Sequence, residues 1–205
     1  MRRAVVLGLA LLTLLIVTVS GMQSNIEFTK RCIEQYKSVL AHYNDEKGTC
    51  TRLQIFMDCL SNKPDERGQL LDAMRYFFTQ QAIFVSKLNY CPKIDYKTIK
   101  AIASHTDFAK NHNYLDSIGD EEAWDTCAID VHKYCVKKYV TLFAKERKIC
   151  DDVNSWIDCY SEEARNIGCD AEILTHFSKM LSIVGKLVIR EIRRFAGMEC
   201  VKMEL

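Results

Sequence analysis

Ten cysteines constrain the fold of this chain more than any other feature, because eight of them form one frame that occurs twice. The middle pair of the frame keeps a spacing of nine residues in both copies, within the matching stretches Phe-Met-Asp-Cys and Trp-Ile-Asp-Cys. A repeat of this length indicates a duplicated supersecondary unit. Cys32, Cys50, Cys59 and Cys91 recur as Cys135, Cys150, Cys159 and Cys200, with offsets of 103, 100, 100 and 109 residues.

The segment before the cysteine frame has the three parts of a secretory signal peptide. Arg2 and Arg3 are positively charged, an apolar run follows, and Val19 and Gly21 are the small residues of a cleavage site. We expect residues 1–21 to be removed. An uncleaved signal anchor is the alternative, but the run is shorter than the about 20 residues of a membrane span. In a secreted chain an even number of cysteines indicates disulfide bonds.

Helical periodicity extends through almost all of the remaining chain, and no alternating β-branched run predicts a strand. We expect an all-α fold of two disulfide-stapled antiparallel three-helix modules, residues 22–112 with a connecting helix and residues 113–205. The predicted helices span residues 24–43, 50–60, 64–89, 96–109, 121–145, 151–164 and 170–195.

The third predicted helix carries the strongest amphipathic pattern. Pro64 occupies its expected first turn, where Asp65 and Glu66 would complement the helix dipole. A bulky apolar face follows, which predicts either bundle core or the wall of a lipophilic pocket between helices. This face consists of Met74, Phe77, Phe78 and Phe84.

Helix geometry predicts how the cysteines pair. At a rise of about 1.5 Å per residue, Cys50 and Cys59 lie about 13 Å apart on one helix, whereas a disulfide needs Cα atoms within about 7 Å. The same argument separates Cys127 from Cys135. Each bond must therefore join two helices, and the antiparallel register brings cysteines at one level together. The expected pairs are Cys32–Cys59, Cys50–Cys91, Cys135–Cys159, Cys150–Cys200 and Cys127–Cys169.

No pattern of reactive residues occurs in the sequence. The cysteines and histidines lack the spacing of a zinc site, and motifs of hydrolytic nucleophiles are missing. His132 precedes Cys135 by three residues, as in the helix of secreted phospholipases A2, but Lys133 stands where that motif has aspartate. We interpret His132 as a partly exposed helix residue. We expect no catalytic residue, no metal and no cofactor, and a secreted hydrolase is the weakest of three hypotheses.

The charge of the chain and its C-terminal residues give three further indications. The formal net charge of +1 argues against nucleic acid as a partner. The C-terminal residues 202–205, Lys-Met-Glu-Leu, resemble an ER-retrieval signal, although methionine replaces its usual polar second residue. We therefore expect secretion, with the ER lumen as the alternative. Basic residues at the end of the last helix suit its dipole and form a candidate surface for anions, namely Lys186, Arg190, Arg193 and Arg194.

The second module resembles a known group of proteins. The stretches Ile-Cys at 149–150, Trp-Ile-Asp-Cys at 156–159 and Gly-Cys-Asp at 168–170 are followed by a long amphipathic helix and Cys200. This order resembles the secreted, all-helical cysteine-rich domains of unknown function that are widespread in nematodes and arthropods. The resemblance covers residues 127–200 and, in the first module, only the four cysteines. It implies an extracellular helical protein without an established reaction.

Two binding functions remain as the main hypotheses. The first is an effector, antagonist or venom-type component that binds an extracellular protein or receptor through helix faces. The alternative is an extracellular carrier of a small apolar ligand or lipid held between the helices. After signal cleavage, no further stretch of the sequence is long and apolar enough for a stable membrane span.

Overall fold

The computed structural model of the protein describes residues 25–40, 42–43, 45, 47–111, 114–115, 127–146 and 149–195. These residues form helices joined by short turns, and no strand occurs among them, which confirms the all-α class. The helices are α1 (residues 25–40), α2 (Thr49–Ser61), α3 (Gln69–Lys87), α4 (Lys97–Ala103), α5 (Asp107–Asn111), α6 (Ala128–Glu146), α7 (Ile149–Ile167), α8 (Glu172–Met180) and α9 (Lys186–Phe195), with a π-helical turn at Leu181–Gly185.

Helix α3 begins later than the sequence predicts. The expected start at Pro64 is wrong, because the chain forms a turn there and becomes helical only at Gln69. Asp65 and Glu66 therefore do not complement the dipole of α3.

A buried arginine explains the later start of α3. The Arg75 side chain is completely buried, and its guanidinium donates hydrogen bonds to three backbone carbonyls at the end of α2 and in the turn that follows it. The acceptors are the oxygens of Leu60 at 3.0 Å, Lys63 at 2.6 Å and Glu66 at 2.6 Å. The carbonyls at the end of a helix lack intrahelical donors, and Arg75 Nε supplies one to the Leu60 carbonyl of α2. Residues 62–68 therefore form a turn around the guanidinium, and α3 begins only after them.

The connecting helix predicted for residues 96–109 is two short helices, α4 and α5. Thr106 lies between them and is buried. Its hydroxyl donates to the Ala103 carbonyl oxygen at 2.6 Å and accepts from the Ala109 amide at 3.3 Å. A threonine oxygen that accepts an amide three residues later caps a helix N-terminus, so Thr106 ends α4 and starts α5.

Four disulfide bonds join the helices in the described chain, and each has a Cα–Cα distance of 5.7 or 5.8 Å. They link the cysteines that helix geometry predicts to pair. One bond joins α1 to α2 and one joins α6 to α7. Each of the other two joins a cysteine at or next to the start of a helix to a cysteine in a later turn. The predicted Cys150–Cys200 bond lies outside the described residues. Each bond stabilises the fold by about 2–4 kcal/mol, largely by restricting the unfolded chain. The four pairs are Cys32–Cys59, Cys50–Cys91, Cys127–Cys169 and Cys135–Cys159.

One hydrophobic core extends through both halves of the described chain. Helix α3 lies at its centre, since Phe84 stacks on Phe177 of α8 with ring centroids 3.7 Å apart. Phe77 of α3 contacts Trp156 of α7 edge to face, at 6.5 Å. Residues 22–112 and 113–205 therefore share a core, while their origin by duplication stays a prediction.

The π-helical turn lies against this core through a residue without a side chain. A Cβ atom at Gly185 would lie 2.9 Å from Ile157 Cδ1 and 3.0 Å from Phe77 Cε2. Both distances are below ordinary van der Waals contact, so α3 and α7 approach the turn more closely than any larger residue permits.

Replacing Gly185 by valine is expected to lower the free energy of unfolding by about 2 kcal/mol, because the added methyl groups overpack the core. Ser182→Val is the matched control, since Ser182 is exposed in the same turn. We expect the control to change stability by less than about 0.5 kcal/mol. Urea unfolding followed by circular dichroism measures both variants. If both variants lost the same free energy of unfolding, a side chain at position 185 would not overpack the core.

Candidate functional site

A partly open cleft of about 90 Å³ lies between the two halves of the fold. Helices α1, α2 and α3 form one side, and α6 and α7 form the other. Two further depressions, next to Leu70 and next to the Cys50–Cys91 bond, have no aromatic residue in their walls. The cleft between the halves differs from them in its aromatic walls, which are Tyr36, Phe77, Phe78, Tyr139 and Trp156.

The sequence left open whether the apolar face of α3 belongs to the bundle core or to the wall of a pocket, and the structure shows that it contributes to both. Met74 and Phe84 are at most 1% exposed and belong to the core. Phe77 and Phe78 line the cleft, where their rings meet edge to face at 5.0 Å. Phe78 also contacts Phe56 of α2 edge to face at 4.5 Å. Edge-to-face contacts of this kind stabilise rings in fixed orientations, so this wall of the cleft is preformed.

A single charged side chain, Arg52 of α2, lines the cleft among the described residues. It is 3% exposed. Its Nη1 donates to the carbonyl oxygens of Tyr43 and, at 2.8 Å, Asp45, and its Nη2 donates to Thr49 Oγ1 at 2.8 Å. Arg52 thus connects the α1–α2 turn to the wall of the cleft, which Thr49 also lines.

Two of the four basic residues that were expected to contact anions lie next to carboxylates, namely Lys186 and Arg190. Lys186 Nζ lies 2.9 Å from Asp158 Oδ1, and Arg190 Nε lies 3.2 Å from Glu191 Oε1. Arg193 and Arg194 are exposed at the end of α9. The α9 surface therefore carries acidic as well as basic groups, and its role in anion contact stays a prediction.

The interpretation of His132 as a partly exposed residue is wrong. Its side chain is 0% exposed, and its Nδ1 lies 2.8 Å from the Tyr160 hydroxyl oxygen. The rings of Phe84 and Tyr90 meet it edge to face at 5.5 and 4.5 Å. His132 falls on the buried stripe of α6, and this helical periodicity is the sequence signal that would have shown its burial. The other buried residues of that stripe are Ala128, Val131, Cys135, Val136 and Tyr139.

Burial decides the protonation of this pair. It lowers the pKa of His132 to about 3, and it raises the pKa of Tyr160 well above its usual range. Both groups are therefore neutral at physiological pH. No substrate can reach His132 while it is completely buried, so this histidine is a core residue.

Two searches for other chemistry concern the described residues alone. They contain no group of three or more histidine, cysteine, aspartate or glutamate side chains that could hold a metal ion. Within the same ranges, every helix is too short or too polar to cross a membrane. The aromatic cleft with Arg52 in its wall is therefore the candidate functional site.

Comparison of the chain with protein-family models, with curated proteins and with solved structures finds no match.

Proposed function

We propose that this protein is an extracellular binding protein without catalytic activity, and that its cleft holds a small apolar ligand between the helices. The observation that carries the proposal is the aromatic wall shared by both halves. Ligand sites in proteins are typically concave, mainly apolar and supplied with a few polar groups, and this cleft has that composition. The rings of Phe77, Phe78 and Trp156 provide aromatic surface in fixed orientations.

The disulfide bonds support the extracellular part of the proposal. Four bonds in a helical chain are typical of an oxidising compartment. Cleavage of residues 1–21 and secretion complete this proposal, and retention in the ER lumen through residues 202–205 is the alternative. The resemblance to secreted cysteine-rich domains of nematodes and arthropods is consistent with the same assignment.

Binding of an extracellular protein or receptor is the other candidate function. The observation in its favour is a set of large apolar side chains that are about half exposed, between 47 and 49%. They lie on separate elements, the α1–α2 turn, α6, the end of α7 and the π-helical turn, and none lines the cleft. The small-ligand function is preferred because the cleft is one connected site. The exposed residues are Tyr43, Tyr134, Ile167 and Ile183.

Organic extraction of the purified native protein, followed by mass spectrometry, tests the small-ligand function. We expect a stoichiometric apolar molecule from the wild type and at least about 10-fold less from Val153→Phe, because the larger ring occupies the space of the ligand and even one extra methylene in an apolar pocket costs about 1–3 kcal/mol. Val153 lines the cleft, and phenylalanine would fill it.

Val140→Phe is the matched control for this extraction. Val140 is also partly buried against the core but does not line the cleft. The control should retain the wild-type amount of ligand. An extract of the wild type without any stoichiometric apolar molecule would contradict the carrier function and favour a protein partner.

A further inference from the structure

We propose that the ligand of the cleft is an alkyl carboxylate, whose anionic head group binds Arg52 and whose chain lies between the aromatic rings. This inference rests on the proposed function and names the chemical class of the ligand. Arg52 accounts for the anionic head group, and the apolar walls account for the alkyl chain.

Arg52 is a buried cation without an acidic partner among the described residues. It is 3% exposed, and its acceptors are two backbone carbonyls and the Thr49 hydroxyl. Arg75, the other arginine that is buried in the described part of the chain, differs because Asp72 Oδ1 lies 3.8 Å from its Nη1. A buried charge is costly unless an opposite charge compensates it. An anion in the cleft would supply that charge.

The guanidinium of Arg52 also retains hydrogen-bonding capacity. Arginine has five N–H donors in a fixed planar arrangement. The described residues accept three of them, two from Nη1 and one from Nη2. The N–H of Nε and the second N–H of Nη2 remain. These two donors suit the two oxygens of a carboxylate, which arginine binds in a bidentate manner.

The size and walls of the cleft indicate the rest of the ligand. Its volume of about 90 Å³ is smaller than the cavity of about 150 Å³ that accommodates benzene in a protein core. The cleft is partly open, so it encloses only a short section of an alkyl chain, and the rest of the chain extends toward solvent. Thr49 and Gln81, the other polar residues at the cleft, are uncharged. The described walls thus contain no acidic group that would repel a carboxylate.

Isothermal titration calorimetry of the oxidised full chain at pH 7, with sodium octanoate and 1-octanol as matched probes, tests the assignment. We expect octanoate to bind at least about 10-fold more tightly, because hydrogen bonds to a charged group are about twice as strong as neutral ones. A cleft without a cation would show the opposite preference, since desolvation of the carboxylate is costly.

Two variants accompany the comparison. Arg52→Gln should abolish the preference for octanoate, whereas Arg67→Gln, at an exposed arginine outside the cleft, should retain it. Arg52 also holds the α1–α2 turn, so circular dichroism must show that Arg52→Gln is folded. The wild-type ratio decides the proposal if that variant does not fold.

The outcomes separate this inference from the function on which it rests. Equal binding of the two probes, or tighter binding of 1-octanol, would overturn the carboxylate assignment and leave the apolar cleft intact. No binding of either probe would overturn both proposals.

Discussion

Replacing Arg75 by methionine is expected to lower the free energy of unfolding by about 4 kcal/mol, because the loss removes a hydrogen-bond donor from three backbone carbonyls at the end of α2 and in the α2–α3 turn, of which only that of Lys63 keeps a backbone donor. The donors that disappear are Nε, Nη1 and Nη2, which contact the oxygens of Leu60, Glu66 and Lys63. Methionine keeps much of the length and apolar stem of arginine, so the cavity contribution is small. Urea unfolding at pH 7, followed by circular dichroism, measures the change.

Arg67→Met is the matched control for this experiment. The Arg67 side chain is 46% exposed and lies 3.8 Å from Asp72 Oδ1, the same carboxylate that faces Arg75. An exposed ion pair contributes at most about 1 kcal/mol, so the control should lose little stability. If both variants lost the same amount, the carbonyl contacts of Arg75 would not be what stabilises the turn.

Lowering the pH from 7.5 to 5 is expected to destabilise the protein by about 2 kcal/mol through His132 alone. Burial lowers the pKa of this histidine from its usual value of 6.5 to about 3 in the folded protein. Below pH 6.5 the unfolded chain therefore binds a proton that the folded chain does not bind. The contribution of His132 to the free energy of unfolding is fully present above pH 6.5. It is lost progressively as the pH falls toward 3, by about 5 kcal/mol in total.

The double variant His132→Phe/Tyr160→Phe isolates this effect, since it removes the titrating ring and its 2.8 Å hydrogen-bond partner together. Between pH 6 and 4, unfolding of this variant should take up about one proton fewer than unfolding of the wild type. The slope of its unfolding free energy against pH should be smaller by the same proton. His105→Gln, at an exposed histidine between α4 and α5, should keep the wild-type dependence. Parallel pH profiles for the wild type and the double variant would contradict the assignment.

The helices were accessible from the sequence because they depend on local geometry, and the cysteine pairs followed from helix geometry together with an antiparallel register. The apolar stripe of α3 predicted its buried face, and the rise per residue excluded bonds such as Cys50–Cys59 within a helix. The start of α3 was not accessible in this way. Pro64 and the acidic residues after it form a good helix start locally, but the carbonyl acceptors that Arg75 requires hold this stretch in a turn.

The candidate site was predicted only in part. Phe77 and Phe78 followed from the pattern of α3, while Tyr139 and Trp156 reach the cleft from the other half of the chain. Arg52 gave no signal in the sequence. Its acceptors are backbone groups of Tyr43 and Asp45, and any residue at those positions would offer the same oxygens.

Local sequence patterns therefore determined the helical class, most helix positions and the levels of the cysteines, because these properties depend on residues a few positions apart. The packing of distant helices determined which polar groups are buried, as His132 and Arg52 show. It also joined the two halves through Phe84 and Phe177, whose rings stack at 3.7 Å. Burial and charge compensation depend on every neighbour in space, and periodicity along one helix does not contain that information.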